Sequence, residues 1–146
     1  MCCITLSRLP SAPAMPLTVA ASALATMRKA ASAAHPSEAC GLLLGARDHV
    51  HTARPTANAA ADPAEHFEID PAALIAALRA ARDGSGPPVI GYFHSHPNGL
   101  ARPSATDQAS AARDGRIWAI VAGDAITCWQ DGPDGFVPLS YAIVDG

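Results

Sequence analysis

Lysine is nearly missing: Lys29 is the only one in 146 residues, and the net charge is -3. Affinity for a nucleic-acid backbone grows with the number of Lys and Arg set against phosphates, so this composition argues against a nucleic-acid partner. Cysteines are few and scattered. Cys2, Cys3, Cys40 and Cys128 form no CxxC pair and no dense framework, which argues against a thiolate zinc knuckle or a disulfide scaffold and fits reduced thiols in a cytoplasm. No stretch approaches the ~18 uninterrupted apolar residues of a membrane span, and the opening MCCITLSRLPSAPAMPL has no apolar h-region of ordinary length. The expectation is a cytoplasmic protein with no membrane segment. Nor does any repeat or linker-like composition divide the chain.

What remains is 49% hydrophobic and 16% charged, enough for one globular domain with its own core, expected over residues 15–146. Residues 1–14, with Pro10 and Pro13 and no periodicity, read as a disordered tail or an over-extended start. From Leu17 to Ala34 an Ala-rich stretch places Leu24, Met27 and Ala31 at helical spacing, after a short strand over Leu17 to Ala20. ACGLLLGAR, Ala39 to Arg47, suits a buried strand, and HVHTARPTAN a returning one. Ala59 to Phe67 reads as polar loop. Asp70 then caps a helix that has Pro71 at its first position and Gly84 at its exit. PPVIGYFHSH is the next strand, and Pro103-Ser104 opens a helix expected over SATDQASAARDG. RIWAIVAG, AITCWQDG and FVPLSYAIV are the closing strands, joined by Gly-Asp and Asp-Gly turns typical of hairpins. The predicted class is mixed α/β.

GYFHSHPNGLARPSATDQASA, Gly91 to Ala111, carries the chemistry. On a strand His94 and His96 point to the same face, Pro97 stops the strand, Asn98-Gly99 turns the chain, and Asp107 returns on the first turn of the next helix. Two imidazoles and one carboxylate suit zinc and leave a fourth tetrahedral position for water, the pattern of a catalytic site. Ser104-x-x-Asp107 also reads as a capping box with Asp in place of Glu. His35, His49, His51 and His66 have no spacing partner and are not expected to be ligands. Cys40 and Cys128 are expected to pack as small core residues, and Trp118 and Trp129 as core or sheet-face residues.

HSHP followed after six residues by SATD resembles the JAMM, or MPN-plus, metalloisopeptidase signature, with every motif position filled. HPSEACGLLLG supplies Glu38 where that family carries an upstream glutamate. The resemblance spans roughly Leu17 to the C-terminus. It implies a curved, largely antiparallel mixed sheet flanked by helices. It implies His94, His96 and Asp107 as ligands of one Zn2+, Glu38 as the acid/base that takes the water's proton, and Ser104 as a donor to the developing oxyanion. It also implies hydrolysis of an amide or isopeptide bond at the C-terminal Gly-Gly of a ubiquitin-like, β-grasp protein. Only eight residues separate Asp107 from Arg116, too few for large clamping insertions. The chain therefore looks like the small bacterial members, which process a sulfur-carrier protein bearing cysteine; deconjugation of a ubiquitin-like modifier is the alternative. A non-catalytic MPN scaffold is the reading from another class, and the presence of every ligand and of the glutamate weighs against it. Metallo-β-lactamase-type sites need an Asp and a His where Asn98 and Gly99 stand. The glutamate of cupins and the Pro-Cys-x-x-Cys of zinc deaminases are absent.

Overall fold

Cys40–Ala46, CGLLLGA, can be apolar almost throughout because both of its faces are covered. Leu43 packs into one core cluster with Leu24, Met27 and Phe93, whereas Leu42 and Leu44 pack into a second with Ile69, Ala77 and Val89. A computed structural model describes residues 16–145; the tail expected over 1–14 lies outside them. In chain order the elements are β1 Leu17–Ala20, α1 Ala21–Ala34, β2 Cys40–Ala46, β3 His49–Thr56, α2 Pro71–Asp83 and β4 Val89–Ser95. They continue with α3 Ala105–Ser110, β5 Ile117–Ala122, β6 Ala125–Gly132, β7 Gly135–Leu139 and β8 Tyr141–Val144.

The strands form one sheet in the order β7-β6-β5-β4-β2-β3-β1-β8. β2 pairs antiparallel with β3 and β4, and β5 to β7 form an antiparallel meander; β4 with β5, β1 with β3 and β1 with β8 are parallel. α1 covers one face through Ala23, Leu24 and Met27, and α2 lies on the other through Ala77. The mixed sheet flanked by helices is the architecture expected.

Three local expectations need correction. FVPLSYAIV is two strands, not one. β7 and β8 flank Ser140 yet occupy opposite ends of the hydrogen-bonded order, so the sheet curls until its edges meet. The Tyr141 hydroxyl spans the gap, donating to the Ile126 carbonyl at 2.7 Å. The helix after Ser104 stops at Ser110 because the following loop is drawn toward β6: Arg113 N donates to the Asp131 carboxylate at 2.9 Å and Gly115 N to the Asp131 carbonyl at 2.8 Å. Asp70 stands at the N-cap of α2, but its side chain makes no capping bond. The start is set by Pro71, and Gly84 closes the other end with φ 79°, a left-handed conformation that glycine adopts without a Cβ clash.

Gly91 lets the histidine-bearing strand lie close to its parallel neighbour, since a Cβ there would collide with the Ile117 carbonyl.

Candidate metal centre and active site

His94 and His96 leave the end of β4 on one face, and Ser95 between them points the other way. That intervening serine does the joining. Its Oγ accepts from Ala39 N at 2.8 Å and its own N donates to the Ala39 carbonyl at 3.0 Å, continuing the β2–β4 pairing beyond the Cys40–His94 register. Glu38 is thereby stationed beside the histidines from 56 residues upstream. Asn58 holds the other side: its Nδ2 donates to the Glu38 and His66 carbonyls at 3.0 and 3.1 Å, and its Oδ1 accepts from Ala60 N and Glu68 N. Glu38 N donates to the Pro63 carbonyl at 2.7 Å.

The donor atoms converge. His94 Nε2 and His96 Nε2 are 2.9 Å apart, and each lies 3.1 Å from Asp107 Oδ2. Glu38, His94 and His96 each offer a ligand atom, all within 4.8 Å of one another. Two triads therefore share the histidine pair, with Asp107 seated more tightly than Glu38. Glu38, His94, His96 and Asp107 are all buried. The capping box exists as well: Asp107 N donates to Ser104 Oγ at 3.0 Å and Ser104 N to Asp107 Oδ2 at 2.9 Å. One carboxylate oxygen thus meets the helix start and faces both imidazoles, so the capping and ligand readings describe the same arrangement.

The electrostatics follow from burial. Full burial lowers His94, keeping it neutral despite the Asp107 bond. Burial would lower His96 too, but its bonds to Asp107 and to the Leu100 carbonyl raise it on balance. Burial alone would raise Asp107; the two imidazoles and the Ser104 backbone outweigh that and hold it well below the usual carboxylate range. Glu38 is pushed up to about 7, chiefly by burial, with His96 opposing and Asp107 and Glu65 adding.

This donor set fits a borderline divalent cation such as Zn2+. His96 Nδ1 donates to the Leu100 carbonyl at 2.7 Å, which in the neutral ring leaves Nε2 as a lone pair aimed at His94 and Asp107, the orientation usual for a metal-ligating histidine. Neutral imidazole lone pairs and a carboxylate oxygen about 3 Å apart want a cation between them, and a tetrahedral shell with bonds of about 2.0–2.1 Å has edges of roughly 3.3 Å. Glu38 Oε1 is buried without a hydrogen-bond partner, as expected of a group whose partner is a bound water or ion.

Several residues here were not singled out by spacing. Phe67, in the stretch read as polar loop, stacks on His94 with centroids 4.3 Å apart. Trp118 meets His94, Phe67 and Phe136 edge-on, a packing role as expected, and it also lines a pocket of about 450 Å³ that reaches Asp107. The serine inside HSH was visible in the sequence only as a polar residue on an apolar strand, facing away from the two histidines. Nothing local pointed to Asn58. Among the described residues no metal-competent group includes His35, His49, His51 or His66, and Cys40 and Cys128 are buried free thiols.

Residues 20–132 match the family described as prokaryotic homologs of the JAB domain. The desampylase of Haloferax volcanii is 35% identical over 125 residues, covering 84% of this chain and 89% of that protein. The CysO-cysteine peptidase of Mycobacterium tuberculosis is 32% identical over 114 residues, covering 77% and 72%. A solution structure of protein DSY2949 from Desulfitobacterium hafniense superimposes with a TM-score of 0.78 at 29% identity, covering 89% of this chain and 94% of that one. A JAB1/MPN domain protein from Archaeoglobus fulgidus does so with 0.61 at 21% identity, covering 90% and 100%. The chain belongs to the JAB/MPN family as a small, prokaryotic-type member.

Proposed function

We propose that this protein hydrolyses the amide bond joining the C-terminal Gly-Gly of a ubiquitin-like, β-grasp protein to an adduct, with a sulfur carrier bearing cysteine as the first choice of substrate. The observation that carries the reading is the convergence of His94 Nε2, His96 Nε2 and Asp107 Oδ2 within 3.1 Å beside the buried, unpartnered Glu38 Oε1. One Zn2+ held by the first three would supply Lewis acidity, polarising the scissile carbonyl and making water acidic enough to attack near neutral pH.

The chain's own groups do the rest. Glu38 takes a proton from the attacking water and hands it to the departing amine, as the water oxygen bonds to the carbonyl carbon and the C–N bond breaks. Its carboxyl, near 7 without the ion, is drawn down by a neighbouring cation and stays a competent base. Ser104 Oγ accepts from Asp107 N, which uses a lone pair and leaves the hydroxyl hydrogen free to donate to the oxygen that gains charge in the transition state. A Gly-Gly tail suits the approach, because backbone without side chains can enter beside buried histidines. The relatives named for a ubiquitin-like modifier and for a cysteine-bearing carrier both support a protein-tail substrate. The first of them favours modifier deconjugation as the second reading.

Glu38→Gln tests the assignment. Gln keeps the size and a hydrogen bond but cannot relay a proton, so zinc content should hold while hydrolysis of a Gly-Gly adduct, read by mass, falls by about 10² to 10⁴-fold. Undiminished cleavage removes Glu38 from the reaction, and loss of zinc makes it a ligand instead.

A further inference from the structure

We infer that Arg102 selects the leaving group, accepting the free α-carboxylate of a single amino acid attached to the Gly-Gly end. The inference rests on the hydrolysis proposed above. A cleft of about 600 Å³ is bordered by Glu38, His96 and Ser104 together, and also by Glu65 and Arg102. Since the departing amine must face Glu38 while the carbonyl oxygen faces Ser104, whatever the amine carries lies in this cleft.

Arg102 is the cleft's only Arg or Lys among the described residues. Its side chain is exposed and makes no hydrogen bond or ion pair among them. Its backbone is held firmly on both sides. The preceding Ala101 carbonyl accepts from Thr127 Oγ1 at 2.9 Å, Pro103 fixes the next φ, and Ser104 N is bonded to Asp107 Oδ2. A cation on a pinned base, with its guanidinium free to swing, stands two residues before the serine that faces the reacting carbonyl.

The charge balance of the cleft gives this a consequence. Glu38 and Glu65 both border it and would repel an entering carboxylate. In an amino-acid adduct the carboxylate lies only two bonds from the departing nitrogen, so it must enter this same space. A guanidinium offers a planar fork that pairs with a carboxylate through two hydrogen bonds. In a lysine isopeptide the departing nitrogen ends an aliphatic stem, and the corresponding carboxyl is tied up in a peptide bond, leaving Arg102 nothing to neutralise. The geometry therefore favours release of a free amino acid over release from a protein lysine.

The test uses the full chain loaded with zinc and a β-grasp carrier extended beyond Gly-Gly by one cysteine, as the free acid or the C-terminal amide. The ratio of kcat/KM for acid over amide should be about tenfold or more. It should collapse toward one in Arg102→Ala and be intermediate in Arg102→Lys, which keeps charge but loses the fork. In parallel, the peptides Gly-Gly-Cys and Gly-Gly-Cys-amide are titrated into zinc-loaded E38Q with and without the Arg102 change. The acid should bind more tightly only where Arg102 is present. A preference for the acid that persists without Arg102 belongs to the metal and overturns the inference, as does a ratio near one in the unaltered chain. If no carrier is cut yet the peptide preference follows Arg102, the hydrolysis reading fails and the carboxylate site stands.

Discussion

Ser104 has one observed task and one proposed task, which a single substitution can separate. Its Oγ is the acceptor for Asp107 N in the capping box, and its hydroxyl hydrogen is the proposed donor to the oxyanion. Ser104→Ala should therefore lose about 1 kcal/mol of stability from the cap and, separately, about 10²-fold or more in kcat with little change in KM. Denaturant melts and steady-state kinetics read the two; a stability loss with unchanged kcat would leave Ser104 a cap alone. His96 gives a pH dependence. Its folded, ion-free pKa lies above the ordinary 6.5 because Asp107 and the Leu100 carbonyl favour the charged ring, and zinc needs the neutral one. Protons compete for Nε2 below that raised pKa, so zinc affinity should fall as pH drops through it and flatten above it. Titration with a zinc indicator at stepped pH checks this, and affinity independent of pH between 5 and 8, on the order of the usual histidine window, would exclude His96 as a ligand.

At the scale of elements, the site depends on β2 and β4 meeting in one register. Ser95→Ala removes the acceptor for Ala39 N and leaves that buried backbone donor unpaired, which should cost about 1–3 kcal/mol. Because His94 stays on β4 and His96 N stays bonded to the Val121 carbonyl while the Glu38 segment loosens, hydrolysis should fall while zinc content holds. Equal losses of zinc and activity would mean that Ser95 supports the strand as a whole. The same elements set the limits of reading the sequence. The histidine strand was legible because period-two alternation and Pro97 are local signals, and Asp107 because the Ser-x-x-Asp spacing is local too. The position of Glu38 follows only from the pairing of strands far apart in sequence, and without the family signature HPSEAC is an ordinary loop. Helix α3 ended early because Asp131, on a later strand, captures the loop behind it, a tertiary bond that no window around SATDQASAARDG contains.

For the whole molecule, the curled sheet brings the converging donor atoms to the end of β4, against the Asn58-to-Ile69 loop and the start of α3. Closure of the sheet through Ser140 was hidden in FVPLSYAIV, since a nearly continuous apolar run looks alike whether it continues along one edge or crosses to the other. Among the described residues no helix is long and apolar enough to cross a membrane. The proposed hydrolysis requires one catalytic ion between His94, His96 and Asp107. Its most direct test is to titrate Zn2+ into the metal-stripped chain while following cleavage of a Gly-Gly adduct by mass. Turnover should rise in proportion to added zinc and break sharply at one ion per chain, with no such rise in His94→Ala; full turnover by the stripped chain, or a rise that ignores the loss of His94, would rule out a catalytic ion at this site.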